Sequence, residues 1–213
     1  MKKNCFFLFV LLCSSGFSFG QKTKELLSVR IGYSSTNILF KEAVEPSFQF
    51  FGVTFKSGKT FVGEGAEFGI SKSIHSKLFM DVSISSFKGQ DFKTRVNNAE
   101  NYYTLIGFQI PVTANYLFRD SSKRFRVNLG AGFQYLRAHL QQFEKITANG
   151  MQTVTQLTDI NISEFQFALR PGIQLRILPN LFATFIVKVS LSSNGRYSDN
   201  PCLSLKYTFN NKK

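Results

Sequence analysis

The chain has 213 residues, of which 43% are hydrophobic, and a formal net charge of +13. This length favours a single domain. Only three cysteines are present, which excludes a disulfide-rich scaffold. The basic surplus favours anionic partners.

The N-terminus has the three parts of a secretory signal. Lys2 and Lys3 form its positive region, residues 5–12 its apolar region, and residues 18–20 a small-x-small cleavage site. We therefore expect residues 1–20 to be a cleaved signal peptide. Export makes lipid phosphates or anionic polysaccharide better candidates for the anionic partner than nucleic acid.

The predicted mature domain, residues 21–213, keeps one cysteine, Cys202. A lone cysteine forms no internal disulfide, so strand pairing and burial must stabilise the domain. Lipid attachment at Cys13 is disfavoured because the residue before it, Leu12, is large.

Period-two alternation of apolar and polar residues organises the mature domain. It is clearest in 102–118, whose even positions are almost all apolar, and it resumes in 125–140 after a polar turn. Such alternation predicts strands with one apolar face. The pattern predicts eight strands: 26–37, 62–73, 76–88, 102–118, 125–140, 162–177, 181–193 and 202–209.

The predicted connections alternate in length. Short turns on one side and long polar loops on the other are typical of a transmembrane β-barrel with both termini on the periplasmic side. The short turns are 74–75, 119–124 and 178–180, and the long loops are 38–61, 89–101, 143–160 and 194–200.

An aromatic segment at 46–55 interrupts the first long loop. A ninth spanning strand there would move one terminus to the other side of the membrane. We therefore expect an extension or a hairpin above the membrane.

We predict an all-β fold, an eight-stranded antiparallel up-and-down transmembrane β-barrel. The alternative is a secreted soluble calycin-like barrel that binds an apolar small ligand, and alternation alone does not separate the two. Strand length and the mixture of glycines and opposite charges on the polar face favour the membrane barrel. The alternative requires these side chains to point inwards: Phe108, Ile110, Leu129 and Phe133.

Tyrosines near the predicted strand ends also favour the membrane barrel, because aromatic residues line the membrane interfaces of such proteins. The absence of tryptophan from the sequence is a departure from this pattern. The tyrosines are Tyr33, Tyr116, Tyr135 and Tyr207.

Several short phrases resemble small outer-membrane β-barrel domain proteins common in Bacteroidota, which include PorT-like secretion accessories. The phrases are the hairpin at 67–83, Gln109-Ile110-Pro111-Val112 and Leu129-Gly130-Ala131-Gly132. The resemblance covers the mature chain and implies a porin-like barrel in the outer membrane of the cell envelope. The segment 206–209 fits the terminal aromatic signal read by the barrel-insertion machinery, although a short tail follows it.

We expect a non-enzymatic protein without a cofactor, either structural and adhesive or accessory to secretion or envelope assembly. Its expected partners are outer-membrane lipid and lipopolysaccharide, the insertion machinery and an envelope protein.

Charged residues on the polar face are the candidate functional set. An eight-stranded barrel is only wide enough to be filled by side chains, so a general diffusion porin is not expected. We expect a lumen charge network, since buried charges must be paired, with a gated ion path as the functional alternative. Its members are Arg30, Glu67, Asp81, Arg126, Glu164, Arg170, Arg176, Lys188 and Lys206.

No catalytic, cofactor or metal site is predicted. His75 falls at a turn, and the residue two positions after His139 is Gln141 rather than the serine that a base and nucleophile pair would need. No cluster of His, Cys, Asp and Glu has metal-ligand spacing. Gly63-Glu64-Gly65 is too short for a nucleotide-binding fingerprint.

Overall fold

A computed structural model describes residues 26–43, 47–50, 53–56, 60–96, 99–118, 124–148 and 150–209. The predicted signal peptide, the turn residues 119–123 and the tail 210–213 lie outside the described residues. The strands are β1 (Leu27–Leu39), β2 (Ser47–Phe50), β3 (Val53–Lys56), β4 (Thr60–Ser73), β5 (Leu78–Val96), β6 (Ala99–Leu117), β7 (Phe125–Ala148), β8 (Met151–Leu178), β9 (Leu181–Ser192) and β10 (Tyr197–Phe209).

Eight strands close into one antiparallel ring in the order β1-β10-β9-β8-β7-β6-β5-β4. The first and last strands seal the barrel, with Leu27 opposite Phe209 and Tyr33 opposite Leu203. The predicted eight-stranded up-and-down barrel is confirmed. β2 and β3 form a separate two-stranded sheet, so the aromatic segment at 46–55 contains a hairpin rather than a ninth barrel strand.

Within the described ranges, no helix is long and apolar enough to cross a membrane.

The two ends of the barrel differ. At the end called here the turn end, β8 and β9 are joined by two residues, and β4 and β5 by a tight turn in which Ile74 N donates to Leu78 O at 2.9 Å. Both predicted turns are confirmed. The opposite end, called the loop end, carries the β2–β3 hairpin and the extensions of β5 to β8.

Three long loops were wrongly predicted. Strand pairing continues through most of 89–101, since Val96 pairs with Ala99, and through most of 143–160, since Ala148 pairs with Met151. β10 likewise begins at Tyr197, inside the predicted loop 194–200. The alternation signal is weak there because neither face of the extended strands is uniformly apolar, yet the backbone hydrogen bonds persist.

The parity of the alternation is confirmed. On β6, Ile106 and Tyr116 are exposed, whereas Gln109, Thr113 and Asn115 are buried. Leu129 and Phe133 are also exposed on the outer surface, so the inward parity that a soluble calycin-like barrel requires is not found.

The outward apolar residues form a belt around the barrel. On β1 the belt ends at Tyr33, after which the next outward residue is Ser35, and on β7 it ends at Tyr135, followed by Arg137. At the turn end, Tyr116 and Tyr207 lie near its other margin. The tyrosines therefore mark the two edges of the belt, as interfacial girdles do.

The interior is not polar throughout, which corrects the sequence prediction. Near the loop end, Phe61 packs edge-on against Phe40 and Tyr103, with ring centroids 5.7 Å and 4.9 Å apart. Phe40 and Ala43 come from the connection after β1 and bury themselves in the barrel. We call the whole group the apolar plug: Ile38, Phe40, Ala43, Phe61, Phe87, Tyr103, Leu105, Leu136, Ala138, Leu140 and Ile162.

Candidate functional site

Five charged side chains from five strands meet in the middle of the barrel, beneath the apolar plug. Arg30 donates to Glu67 Oε1 at 2.7 Å and to Asp81 through both terminal nitrogens, at 2.8 Å and 3.1 Å. Arg170 lies 3.3 Å from Asp81, and Lys188 donates to Glu67. We call this group the lumen cluster: Arg30, Glu67, Asp81, Arg170 and Lys188.

Polar neighbours complete the hydrogen bonding of the lumen cluster. Ser85 donates to Glu67 Oε2 at 2.8 Å, and Arg170 donates to Asn115 Oδ1 at 2.7 Å. All five charged side chains are at most 2% exposed. Burial at this depth is tolerated only because each carboxylate contacts at least two cations.

A glycine on β4 gives the Arg30 side chain room to reach its partners. A Cβ at Gly69 would come within 2.7 Å of the Arg30 guanidinium. Glycine at that position leaves room for the guanidinium to cross from β1 towards Asp81 on β5. The cluster therefore depends on the glycine at position 69 as well as on the charges.

A second group of cations lies at the turn end. Arg126 and Arg176 both approach the Phe182 ring, at 4.3 Å and 5.6 Å from its centroid. Lys206 Nζ is 4.8 Å from the centroid of the Phe79 ring. Aromatic faces stabilise these charges through cation–π contacts.

A third group lies at the loop end, and the sequence analysis found only one of its members, Glu164. Arg196 donates to Glu164 Oε2 and to Glu42 Oε1, each at 2.6 Å. The hydrogen bond from Arg196 lowers the pKa of the Glu42 carboxyl. Lys41 also donates to the Asn194 carbonyl at 3.1 Å, so the connection after β1 is tied to the β9–β10 turn.

The nine predicted network residues all face the interior, but they form three groups and not one. Their separation follows from their heights along the barrel, which alternation within one strand does not reveal. Arg196 lies one residue before β10 and continues its inward register, so extending the predicted strand 202–209 towards the loop end would have found it. Glu42 lies in an irregular segment and left no periodic signal.

His139 faces outwards above the belt and pairs with Asp159. Its Nε2 lies 2.7 Å from Asp159 Oδ1. Gln141 and Gln156 also donate to that carboxylate. The three hydrogen bonds lower the pKa of Asp159, and the one with His139 has the largest effect. Within the described residues, no serine or threonine hydroxyl hydrogen-bonds His139, so a nucleophile for a triad is not positioned there.

His75 lies in the β4–β5 turn, where Ser76 Oγ is 3.2 Å from its Nδ1. This places it at the turn that the sequence predicted. Across the described part of the chain, no group of three or more His, Cys, Asp and Glu side chains could hold a metal ion.

Comparison with known proteins places the chain by fold. No protein-family model matches it, and a search of curated proteins finds no match. Among solved structures, it is similar to Ail, the attachment invasion locus protein of Yersinia pestis, in complex with the heparin analogue sucrose octasulfate. The TM-score is 0.51 at 12% sequence identity, with 88% of this chain and 100% of that chain covered.

It is also similar to Acinetobacter baumannii CarO, with a TM-score of 0.51 at 8% identity, covering 84% of this chain and 97% of that one. The fold is that of eight-stranded outer-membrane β-barrels. At such low identity the likeness is one of fold alone, and membership of the Bacteroidota or PorT-like group stays a prediction.

Proposed function

We propose that this protein is an integral outer-membrane β-barrel, exported by its N-terminal signal, with the turn end in the periplasm. Its role is non-enzymatic recognition at the cell surface, carried by the β7–β8 hairpin. The observation that carries the membrane location is a change of polarity along the strands.

Within the belt, apolar side chains point out and polar ones point in, and above it this order reverses without a break in the strand. On β7, Phe133 points out and Gln134 in, whereas further along Arg137 points out and Leu136 in. A membrane barrel needs an apolar outer face only where it meets hydrocarbon. The reversal therefore supports a membrane boundary next to Tyr135.

The interior supports a closed barrel. The apolar plug fills the loop end, and the lumen cluster lies directly beneath it. An eight-stranded barrel filled in this way leaves no wide aqueous path. Recognition must then use the surfaces outside the lumen.

The β7–β8 hairpin is formed by the two longest described strands. β7 has 24 residues and β8 has 28, whereas a tilted strand needs roughly 9 to 11 residues to cross a bilayer. Its tip presents exposed apolar side chains, including Met151 and Val154. A projecting hairpin with exposed apolar residues favours contact with a partner surface.

Lipopolysaccharide is the lipid partner that the outer rim fits. Lys88 on β5 and Arg137 on β7 are exposed, point outwards just above the belt, and flank Ile106 and Phe108 of β6. Cations at this height meet the phosphate groups of an anionic outer leaflet.

Sidedness can be tested by cysteine labelling on intact cells, because the native Cys202 is buried. Thr153→Cys places a thiol at the hairpin tip, and Ser76→Cys is the matched variant at the turn end. We expect both proteins in the outer-membrane fraction with a heat-dependent gel shift, and a membrane-impermeant maleimide to label only position 153. Recovery in the soluble fraction, or any other labelling pattern, would overturn the proposal.

The surface role can be tested by replacing 146–156 with a two-residue turn. Normal insertion, loss of adhesion between cells and unchanged levels of secreted proteins would support recognition by the hairpin. Intact adhesion with impaired secretion would instead assign the function to the periplasmic turns and to an accessory role in secretion.

A further inference from the structure

One edge of the β7–β8 hairpin has no neighbouring strand in the described part of the chain. β7 pairs with β8 up to the hairpin tip, where Ala148 lies opposite Met151, but β9 pairs with β8 only as far up as Gln166. All residues of 151–157 are exposed, and Val154 keeps 52% of its surface accessible. The backbone N–H and C=O groups on that side are therefore a template for another strand. We call residues 151–157 the tip edge.

The tip edge lacks the features that block strand addition. Natural edge strands are commonly protected by charged residues, lysine above all, or by proline. Residues 151–157 contain neither a charged residue nor a proline. The opposite edge of the projecting sheet, on β5 beyond the pair of Lys88 with β4, carries Asp91, Lys93 and Arg95. The β8 side is therefore the edge that suits an added strand.

The sequence of the tip edge is symmetric about Val154. Residues 152–156 read Gln-Thr-Val-Thr-Gln in both directions, and the apolar Met151 and Leu157 flank them. An antiparallel pair of two such strands centred on Val154 sets valine opposite valine, threonine opposite threonine and methionine opposite leucine. Cross-strand pairs of threonines and of β-branched residues stabilise antiparallel ladders. The strand that fits this edge is therefore the same edge of a second copy.

We infer that the tip edges of two copies of this chain pair as an antiparallel, two-fold symmetric ladder centred on Val154. β8 runs from the hairpin tip at Met151 to the turn end at Leu178, so an antiparallel partner strand runs towards a barrel on the far side of the joint. The two barrels are therefore arranged head to head. With the loop end outside the cell, this arrangement joins the outer membranes of two neighbouring cells. That last step rests on the proposed function, but the self-pairing does not.

The self-pairing can be trapped by a disulfide in the full mature barrel refolded in detergent micelles. Directly opposed residues have Cβ atoms about 4.5 to 5.5 Å apart, so Val154→Cys brings two thiols of different copies within disulfide reach. In the same ladder the two copies of Gln152→Cys lie about 13 Å apart along the strands, which makes this variant the matched control. The native Cys202 is buried.

Under mild oxidation, Val154→Cys should form the covalent dimer at least tenfold faster than Gln152→Cys. Equal rates in the two variants would mean random collision and would overturn the ladder. Absence of a dimer with Val154→Cys would overturn it as well.

The head-to-head arrangement is tested on cells, since many copies that face each other across two membranes add their weak contacts. Two populations that carry Val154→Cys with different epitope tags are grown separately, sedimented together and oxidised. Dimers that contain both tags form only between cells, and we expect them. Dimers with one tag alone would overturn the head-to-head arrangement.

The cross-link also separates this inference from the proposed function. Loss of adhesion on replacement of 146–156, without a cross-link at position 154, would overturn the self-pairing and keep recognition by the hairpin. A cross-link with unchanged adhesion after the replacement would overturn the surface role and keep the self-pairing.

Val154→Glu sets two carboxylates directly opposite each other in the joint, whereas within its own hairpin it faces Lys145. Like charges in opposed positions destabilise a ladder, so adhesion between cells of this variant should fall at least tenfold. Ile146→Glu adds the same charge to the β7 arm, opposite Thr153, and should leave adhesion unchanged. Unchanged adhesion with Val154→Glu, or equal loss in both variants, would overturn the ladder.

Discussion

Arg30 and Asp81 are joined by two hydrogen bonds, although their strands β1 and β5 are not paired with each other. β4 lies between them, and its inward residue Gly69 leaves the space through which the guanidinium passes. The link therefore braces the wall across a strand, in addition to the backbone ladders between neighbours.

Arg30→Met should destabilise the barrel by about 3 to 5 kcal/mol, because it leaves buried carboxylates short of a partner. Urea unfolding in micelles measures the loss. Arg137→Met makes the same chemical change on the exposed outer rim and should shift the free energy of unfolding by no more than about 0.5 kcal/mol. Equal effects of the two variants would show that the lumen cluster adds no stability.

Glu67 and Lys188 should be energetically coupled, since the ammonium donates to the carboxylate in a fully buried position. Glu67→Gln and Lys188→Met together should cost less than the sum of the two single substitutions, with an interaction energy of about 0.5 to 3 kcal/mol. A double-mutant cycle by urea unfolding gives this value. Simple additivity would contradict the pairing.

Phe61 lies in the apolar plug and Phe133 on the lipid-facing belt, which makes the two a matched pair. Phe61→Ala should cost about 3 to 5 kcal/mol because it leaves a cavity between Phe40 and Tyr103. Phe133→Ala should cost less, about 1.5 to 3 kcal/mol, because detergent or lipid chains fill the space and only the transfer of the side chain is lost. The reverse order would place Phe133 inside.

The closed interior predicts no porin-like conductance. Purified protein inserted into a planar bilayer should give no stable ohmic channels at neutral pH, since the apolar plug and the lumen cluster fill consecutive levels of the barrel. Reproducible channels of uniform size would contradict this and favour the gated ion path.

Asp159 should make the β7–β8 hairpin sensitive to acid. The pKa of the Asp159 carboxyl is lowered mainly by its hydrogen bond with His139 and next by its hydrogen bond with Gln141. The ionised carboxylate therefore stabilises the folded hairpin fully at pH values above the pKa of the unfolded carboxyl. That contribution is lost as the pH falls through the lowered pKa of the folded state. The protection factors of the hairpin amides, which are corrected for the intrinsic pH dependence of hydrogen exchange, should fall over this range while the barrel stays folded.

Asp159→Asn should quicken exchange of the same amides at neutral pH and remove the acid dependence. Asp199→Asn, on the outer face of β10, is the control and should leave the hairpin amides unchanged. An unaltered pH profile in Asp159→Asn would exclude this carboxylate as the group responsible.

The sequence by itself determined the strands of the belt and which residues face outwards. On β6 and β7 the alternation is strong because one face meets an apolar environment and the other meets polar side chains. It also determined that residues such as Arg30, Glu67 and Asp81 face the interior. These conclusions need only the two-residue period of a strand.

The tertiary structure decided which inward side chains meet each other, which the alternation does not show. Leu136, Ala138 and Leu140 continue the inward register of Gln134 but are apolar, so the period stays the same while the polarity reverses. Only closure of the barrel shows that these side chains belong to one buried cluster with Phe40 and Phe61. The grouping of the charges was also decided in three dimensions, because barrel closure brings Lys188 on β9 to Glu67 on β4, and sequence separation contains no measure of height along the barrel.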